Sequence, residues 1–171
     1  SQSNQGIHGN SNPVESYMDP MRELAEIEGV VVQPLKQIVD SRGSVLHMLR
    51  NDSGLFSQFG EVYFSEIHPK TVKAWKRHKK QTQNFAVPLG RIRLVIYDNR
   101  PMSSTNKKIV EYELGRPEHY QLIQVPPMLW YGFQTLGNQT SMIANCADHP
   151  YDPEEAESLP AHSDRIPYQW E

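Results

Sequence analysis

The chain has 171 residues, which fits one domain with a core of its own. A net charge of −3 argues against a nucleic-acid or membrane-surface binder, and no stretch reaches the roughly 18 apolar residues of a membrane span. The single cysteine, Cys146, excludes an internal disulfide and fits a reducing compartment, and a hydrophobic share of 37% points to extended or loosely packed ends.

Residues 1–16 are rich in Ser, Asn, Gln and Gly and are expected to form a flexible arm. They lack the apolar core of a signal peptide, so the expected address is the cytoplasm. One domain is expected over 17–171, with a barrel core at about 30–147 and a wrapping tail at 148–171. Asp19 and Pro20 suit the start of a short helix, Met21, Leu24 and Ile27 share one face of it, and Gly29 ends it. From there the pattern shifts to period 2. Strands are expected over 30–39, 44–50, 61–67, 72–78, 83–89, 91–97, 108–114, 120–125, 130–135 and 140–146. Gly43, Gly60, Pro69, Gly90, Gly115, Pro126-Pro127 and Gly137-Asn138 mark turns between them. Short strands with turn-length gaps predict an all-β sandwich or barrel.

Three segments have the residue types for chemistry. In Val72–Gln81, strand alternation puts Ala74, Lys76 and His78 on one face and Trp75 and Arg77 on the other. A Lys beside a His in a partly dry barrel favours anionic or carbonyl ligands. The alternative is a solvated basic strand end. The Pro126-Pro127 corner leads into Trp130-Tyr131-Gly132-Phe133, which aims Tyr131 into the barrel mouth or plugs the core with it. Asp40-Ser41-Arg42-Gly43 is a tight turn whose Arg42 suits a phosphate, or is a plain surface turn. No metal site is expected: the seven histidines show no H-x-H or H-x-x-x-H pair, and Cys146 has no cysteine partner.

Taken in order, these segments resemble the dTDP-4-dehydrorhamnose 3,5-epimerases and the wider dTDP-sugar isomerase group of cupins. The matching features are the turn at Asp40–Gly43, the strand pair Glu61–His78, and Leu89-Gly90-Arg91-Ile92 with its strand ending at Asp98. Further matches are the Pro-Pro corner before Gly132-Phe133, Tyr151-Asp152-Pro153, and Ile166-Pro167-Tyr168-Gln169-Trp170. The resemblance covers about residues 30–170 and is nearest to a branch with an A-W-x-R-H segment. It implies a cupin-type jelly-roll barrel, a homodimer, and a nucleotide-linked 4-keto-6-deoxy sugar as substrate, with no metal or organic cofactor. It also implies a His base beside the ketone, a Lys that stabilises the enolate, and a Tyr that returns the proton on the opposite face.

Carried over by position, His78 is the expected base and Arg42 the phosphate contact. Lys76 takes the cation's role and Tyr131 donates to the sugar or returns the proton. Tyr63, Trp75, Gln83 and Tyr151 are expected substrate contacts. The departures are plain. Trp75 stands where the family has an Arg, the family's enolate Lys falls near Gln83 or Asn84, and its second His is Tyr131. The base's carboxylate would follow the terminal Trp, where only Glu171 remains, so that partner is absent unless another carboxylate replaces it. These exchanges leave two alternatives open: a cupin that binds a sugar or other small ligand without turnover, and a metal-dependent cupin.

Overall fold

The computed structural model describes residues 26–171. The expected arm and most of the helix opened by Asp19 and Pro20 lie outside the described residues; the expected end of that helix, at Glu26 to Gly29, is a bend and a turn instead. Twelve strands follow: β1 (Val31–Pro34), β2 (Gln37–Asp40), β3 (Gly43–Leu46), β4 (Glu61–Ile67), β5 (Val72–His78), β6 (Gln83–Leu89), β7 (Arg91–Tyr97), β8 (Ile109–Gly115), β9 (Gln121–Val125), β10 (Trp130–Thr135), β11 (Ser141–Ala147) and β12 (Ala156–Ser158). Every pairing is antiparallel. One sheet has the order β1-β9-β6-β11-β4, the other β12-β5-β10-β7-β8, and β2-β3 form a separate hairpin. Two facing five-stranded sheets with these crossovers form the expected jelly-roll barrel.

The β7 sequence shows why the sheets stack. Ile92, Leu94 and Ile96 are completely buried and meet Phe85, Val87, Ile123, Val125 and Ile143 between the sheets. Each such side chain contributes roughly 1.5–3 kcal/mol by leaving water. The alternate residues Val95 and Tyr97 point outward, yet they too are buried. They join Trp75, Trp130, Ile166 and Trp170 in a second cluster beneath the C-terminal segment. That segment explains why β7 reads first as alternating and then as a continuous apolar run.

Two expected strands need correction. The single strand over 30–39 is two, because the chain leaves the first sheet after Pro34, a residue with no N–H for the ladder. The strand expected over 44–50 ends at Leu46. The chain then lies irregularly along β9, where Tyr120 Oη donates to His47 O at 2.7 Å and Gln124 Nε2 to Leu55 O at 2.7 Å. One strand was not expected. β12 pairs with β5, Ala156 opposite His78 and Ser158 opposite Lys76.

Candidate active site

β5 is irregular where the chemistry gathers. Against β10, Tyr131 pairs with Lys76 and Gly132 with Ala74, so Trp75 is the extra residue of a β-bulge. The bulge shifts the alternation. Phe133 pairs with Lys73, and Tyr131 and Phe133 both belong to the inter-sheet core. Lys73 and Lys76 therefore both face inward, although they are three residues apart. Ala74 packs with the outer cluster instead of sharing a face with Lys76, which corrects the simple alternation. Trp75 is buried outward: its ring centre lies 5.1 Å from that of Trp170, and its Nε1 donates to Ala161 O at 3.2 Å.

Two cavities open at this end of the barrel. The first, of about 380 Å³, is lined by Tyr63, Ser65, Lys76, Tyr131, Phe133 and Asn145, among others. The second, of about 330 Å³, is lined by Glu61, Tyr63, Lys76, His78, Gln81 and Tyr151. Both lie within the size range of small-ligand pockets. They share Tyr63 and Lys76.

His78 joins the two cavities chemically. Its side chain is 6% exposed. Nε2 lies 2.9 Å from Tyr131 Oη, and Nδ1 hydrogen-bonds Glu155 Oε1. The other oxygen, Oε2, accepts the backbone N–H groups of Lys79, Lys80 and Gln81 at 3.1, 3.0 and 3.2 Å. β12 and its preceding turn deliver Glu155, and Lys79 N also donates to Glu155 O at 2.8 Å.

The electrostatics assign the protons. Burial lowers the His78 pKa below the ordinary imidazole value; Glu155 pulls it up and the Lys76 ammonium pushes it down. Burial works against the charge of Glu155, but the bonds from His78 and from the Lys80 and Gln81 N–H groups win and hold its carboxyl below the usual range. Burial keeps the Tyr131 phenol well above its usual pKa, hence protonated. Neutral His78 then donates through Nδ1 to the Glu155 carboxylate and accepts the Tyr131 proton at Nε2.

The sequence-predicted residues divide clearly. His78, Lys76, Tyr131 and Tyr63 come together. Tyr151 stands at the mouth of the second cavity, 70% exposed. Trp75 borders the first cavity, but its ring belongs to the outer aromatic cluster. Gln83 is buried behind the lining, where it donates to Gln81 Oε1 at 2.8 Å. Arg42 lines neither cavity: it sits exposed at the tip of the β2-β3 turn, paired with Asp40 at 2.8 Å. Sequence reasoning missed Glu155, Asn145 and Lys73. Nothing in Glu154-Glu155-Ala156-Glu157 singles out Glu155 before the strand pairing is known. Lys73 was hidden by the bulge. Among the described residues, no group of three or more His, Cys, Asp or Glu could hold a metal ion.

Known proteins share this architecture. The family model described as dTDP-4-dehydrorhamnose 3,5-epimerase matches residues 24–171. A dTDP sugar isomerase from Desulfovibrio desulfuricans G20 superposes with a TM-score of 0.83 at 48% identity, covering 85% of this chain and 92% of that one. The probable low-salt glycan biosynthesis epimerase of Haloferax volcanii is 34% identical over 85% of this chain and 90% of that protein. The spore coat polysaccharide biosynthesis protein SpsL of Bacillus subtilis is 28% identical, over 84% and 96%. With the family model spanning all of the described residues, the chain belongs to the dTDP-4-dehydrorhamnose 3,5-epimerase family, a family of sugar-nucleotide epimerases.

Proposed function

We propose that the protein epimerises a nucleotide-linked 4-keto-6-deoxy sugar by removing a proton next to the ketone, with side chains alone carrying the chemistry. One observation supports this most: the buried chain Glu155–His78–Tyr131 reaches the wall of two cavities that share Lys76. His78 is the base. Glu155 fixes its tautomer and stabilises the imidazolium that forms, and Tyr131 extends its reach into the larger cavity. Lys76 places an ammonium beside the base, where the enolate oxygen gains charge.

A homodimer belongs to the same reading. The β2-β3 hairpin exposes Ile38, Val39 and Val45, an apolar face of the kind a second copy covers. A monomer by light scattering at micromolar concentration removes this part of the proposal.

The decisive experiment is solvent deuterium uptake into dTDP-4-keto-6-deoxyglucose and a panel of related nucleotide 4-keto sugars. The wild type exchanges at least one of them and His78→Asn exchanges none. No exchange by the wild type with any of them, or full activity of the variant, rejects the assignment.

A further inference from the structure

Epimerisation imposes a requirement that the His78 side of the site does not meet. A proton taken from one face of the carbon must be replaced on the other. Tyr131 cannot do this, because its hydroxyl is bonded to the base itself. The second donor must come from the opposite sheet. There, Tyr63 on β4 borders both cavities.

A chain of buried amides fixes how Tyr63 holds its proton. Gln81 Nε2 donates to the backbone carbonyl of His149 at 2.9 Å, which leaves Gln81 Oε1 to accept from Gln83 Nε2 at 2.8 Å. Gln83 Oε1 then accepts from Asn145 Nδ2. At the other end, the backbone N–H of Asn84 donates to Asn145 Oδ1 at 3.1 Å. Backbone groups thus anchor both ends of the chain and set every amide's orientation. Asn145 must present its remaining N–H to Tyr63 Oη, 2.8 Å away. Tyr63 is an acceptor in that bond, so its own proton points elsewhere, and the hydroxyl borders open cavity.

We infer that Tyr63, oriented by Asn145, is the catalytic acid that delivers a proton to the face of the sugar opposite His78, which makes the reaction an inversion and not a same-face shift of the ketone. This rests on the proton-abstraction reading above. The step balances without a further reactant. The C–H bond breaks, its proton goes to His78 through Tyr131, and the electron pair enters the enolate. A new C–H bond forms on the other face with the Tyr63 proton. The Tyr63 phenolate regains a proton from water in the cavities, and His78 returns its own to solvent. Burial raises the Tyr63 pKa, with Glu61 and Glu155 adding to it and Asn145 opposing, so the phenol is in its donating form at neutral pH. Asn145 is a positioning residue, and Gln83 supports it one bond further back.

The experiment compares wild type, Tyr63→Phe and Asn145→Asp in deuterium oxide with the nucleotide 4-keto sugar that the wild type exchanges. NMR follows deuterium in recovered substrate and in epimerised product. In the wild type, deuterium accompanies inversion. Tyr63→Phe keeps deuterium uptake into unepimerised substrate within a few-fold of wild type, while epimer formation falls on the order of 10²-fold or more. Asn145→Asp turns the Tyr63 proton toward the new carboxylate and gives the same split with KM little changed. Epimer formation by Tyr63→Phe at the wild-type rate overturns the inference, and so does equal loss of uptake and epimer formation in that variant. Absence of uptake by the wild type would instead reject the proton-abstraction reading itself, so the two failures are distinguishable. Tyr63→Phe removes one hydroxyl at a cavity wall, and a thermal melt confirms that the barrel is intact.

Discussion

The Glu155 carboxylate receives the Nδ1–H of His78 across 77 positions of sequence, and its second oxygen gathers three consecutive backbone N–H groups. One oxygen sets the tautomer and the other anchors the carboxylate to the loop that follows β5. Glu155→Gln tests this relationship. Its amide oxygen can still accept from Lys79, Lys80 and Gln81, but its NH2 group then faces Nδ1. The imidazole must accept there and carry its proton on Nε2, where it can no longer take one from Tyr131. Turnover is expected to fall by on the order of 10²–10⁴-fold with KM little changed. Steady-state kinetics beside a circular-dichroism melt check it. A kcat within a few-fold of wild type would remove Glu155 from the mechanism.

The pH dependence follows from two lowered pKa values. His78 must be neutral to act as the base, and its burial lowers its pKa below the ordinary value of about 6.5. The kcat/KM profile is therefore flat through neutrality, and its acid limb has an apparent pKa below that of free histidine. Stability follows the same sign. As pH drops from about 6.5 to the folded His78 value, the unfolded chain binds a proton that the folded chain refuses, so stability declines across that window. Glu155 adds a second decline at lower pH, because its folded pKa is also below the unfolded one and its contribution is lost as the carboxylate protonates. Denaturant titrations from pH 7 down to about pH 2 measure both. In His78→Asn the first decline disappears.

The fold was legible from the sequence because its period-2 strands are bounded by Gly and Pro turns. Strands β4, β5, β6, β7 and β10 fall at their expected residues. The site was only half legible. His78, Lys76, Tyr63 and Tyr131 lie on strands, where alternation and the resemblance place them. Glu155 depends on a three-residue strand with no periodicity of its own, paired to β5 from the far end of the chain. Asn145 reads as an ordinary residue of β11, and only the amide chain behind it gives it a role. Lys73 was missed, and Ala74 was assigned to the wrong face, because a bulge adds one residue and every side chain beyond it changes sides.

Lys76 provides a contrast with Tyr63. Its ammonium faces both cavities and lowers the His78 pKa, which places it close to the base. If it stabilises the enolate, it acts before either outcome of reprotonation is decided. Lys76→Met should therefore slow deuterium uptake and epimer formation equally, by on the order of 10²–10³-fold. Lys76→Arg keeps the charge but not the shape of the ammonium, so it is expected to recover only part of the rate. The same NMR assay checks it. Unchanged uptake with Lys76→Met would move the enolate contact to another donor, with Lys73 the next cation along the strand.

Gly132 is where the outer aromatic cluster meets the site. A Cβ there would stand 2.5 Å from Ala74 Cβ and 2.8 Å from Trp170 Cζ2, closer than packed atoms tolerate. Gly132→Ala must push β10 away from β5 or displace the terminal Trp, at a cost of about 1–3 kcal/mol. For a domain of this size that lowers Tm by several degrees. Catalysis should suffer as well, because Tyr131 is the preceding residue and pairs with Lys76 across the same two strands. Trp170 cannot relax by trading hydrogen bonds, since its Nε1 has no partner among the described residues. Its indole is held by packing, against Trp75 and Tyr168. Ala74→Gly removes the nearer of the two clashing atoms. The double variant should then recover part of the lost Tm and part of the lost kcat together, a coupling that independent sites would not show. Recovery of stability without any recovery of kcat would mean that the β5–β10 spacing does not set the Tyr131–His78 contact.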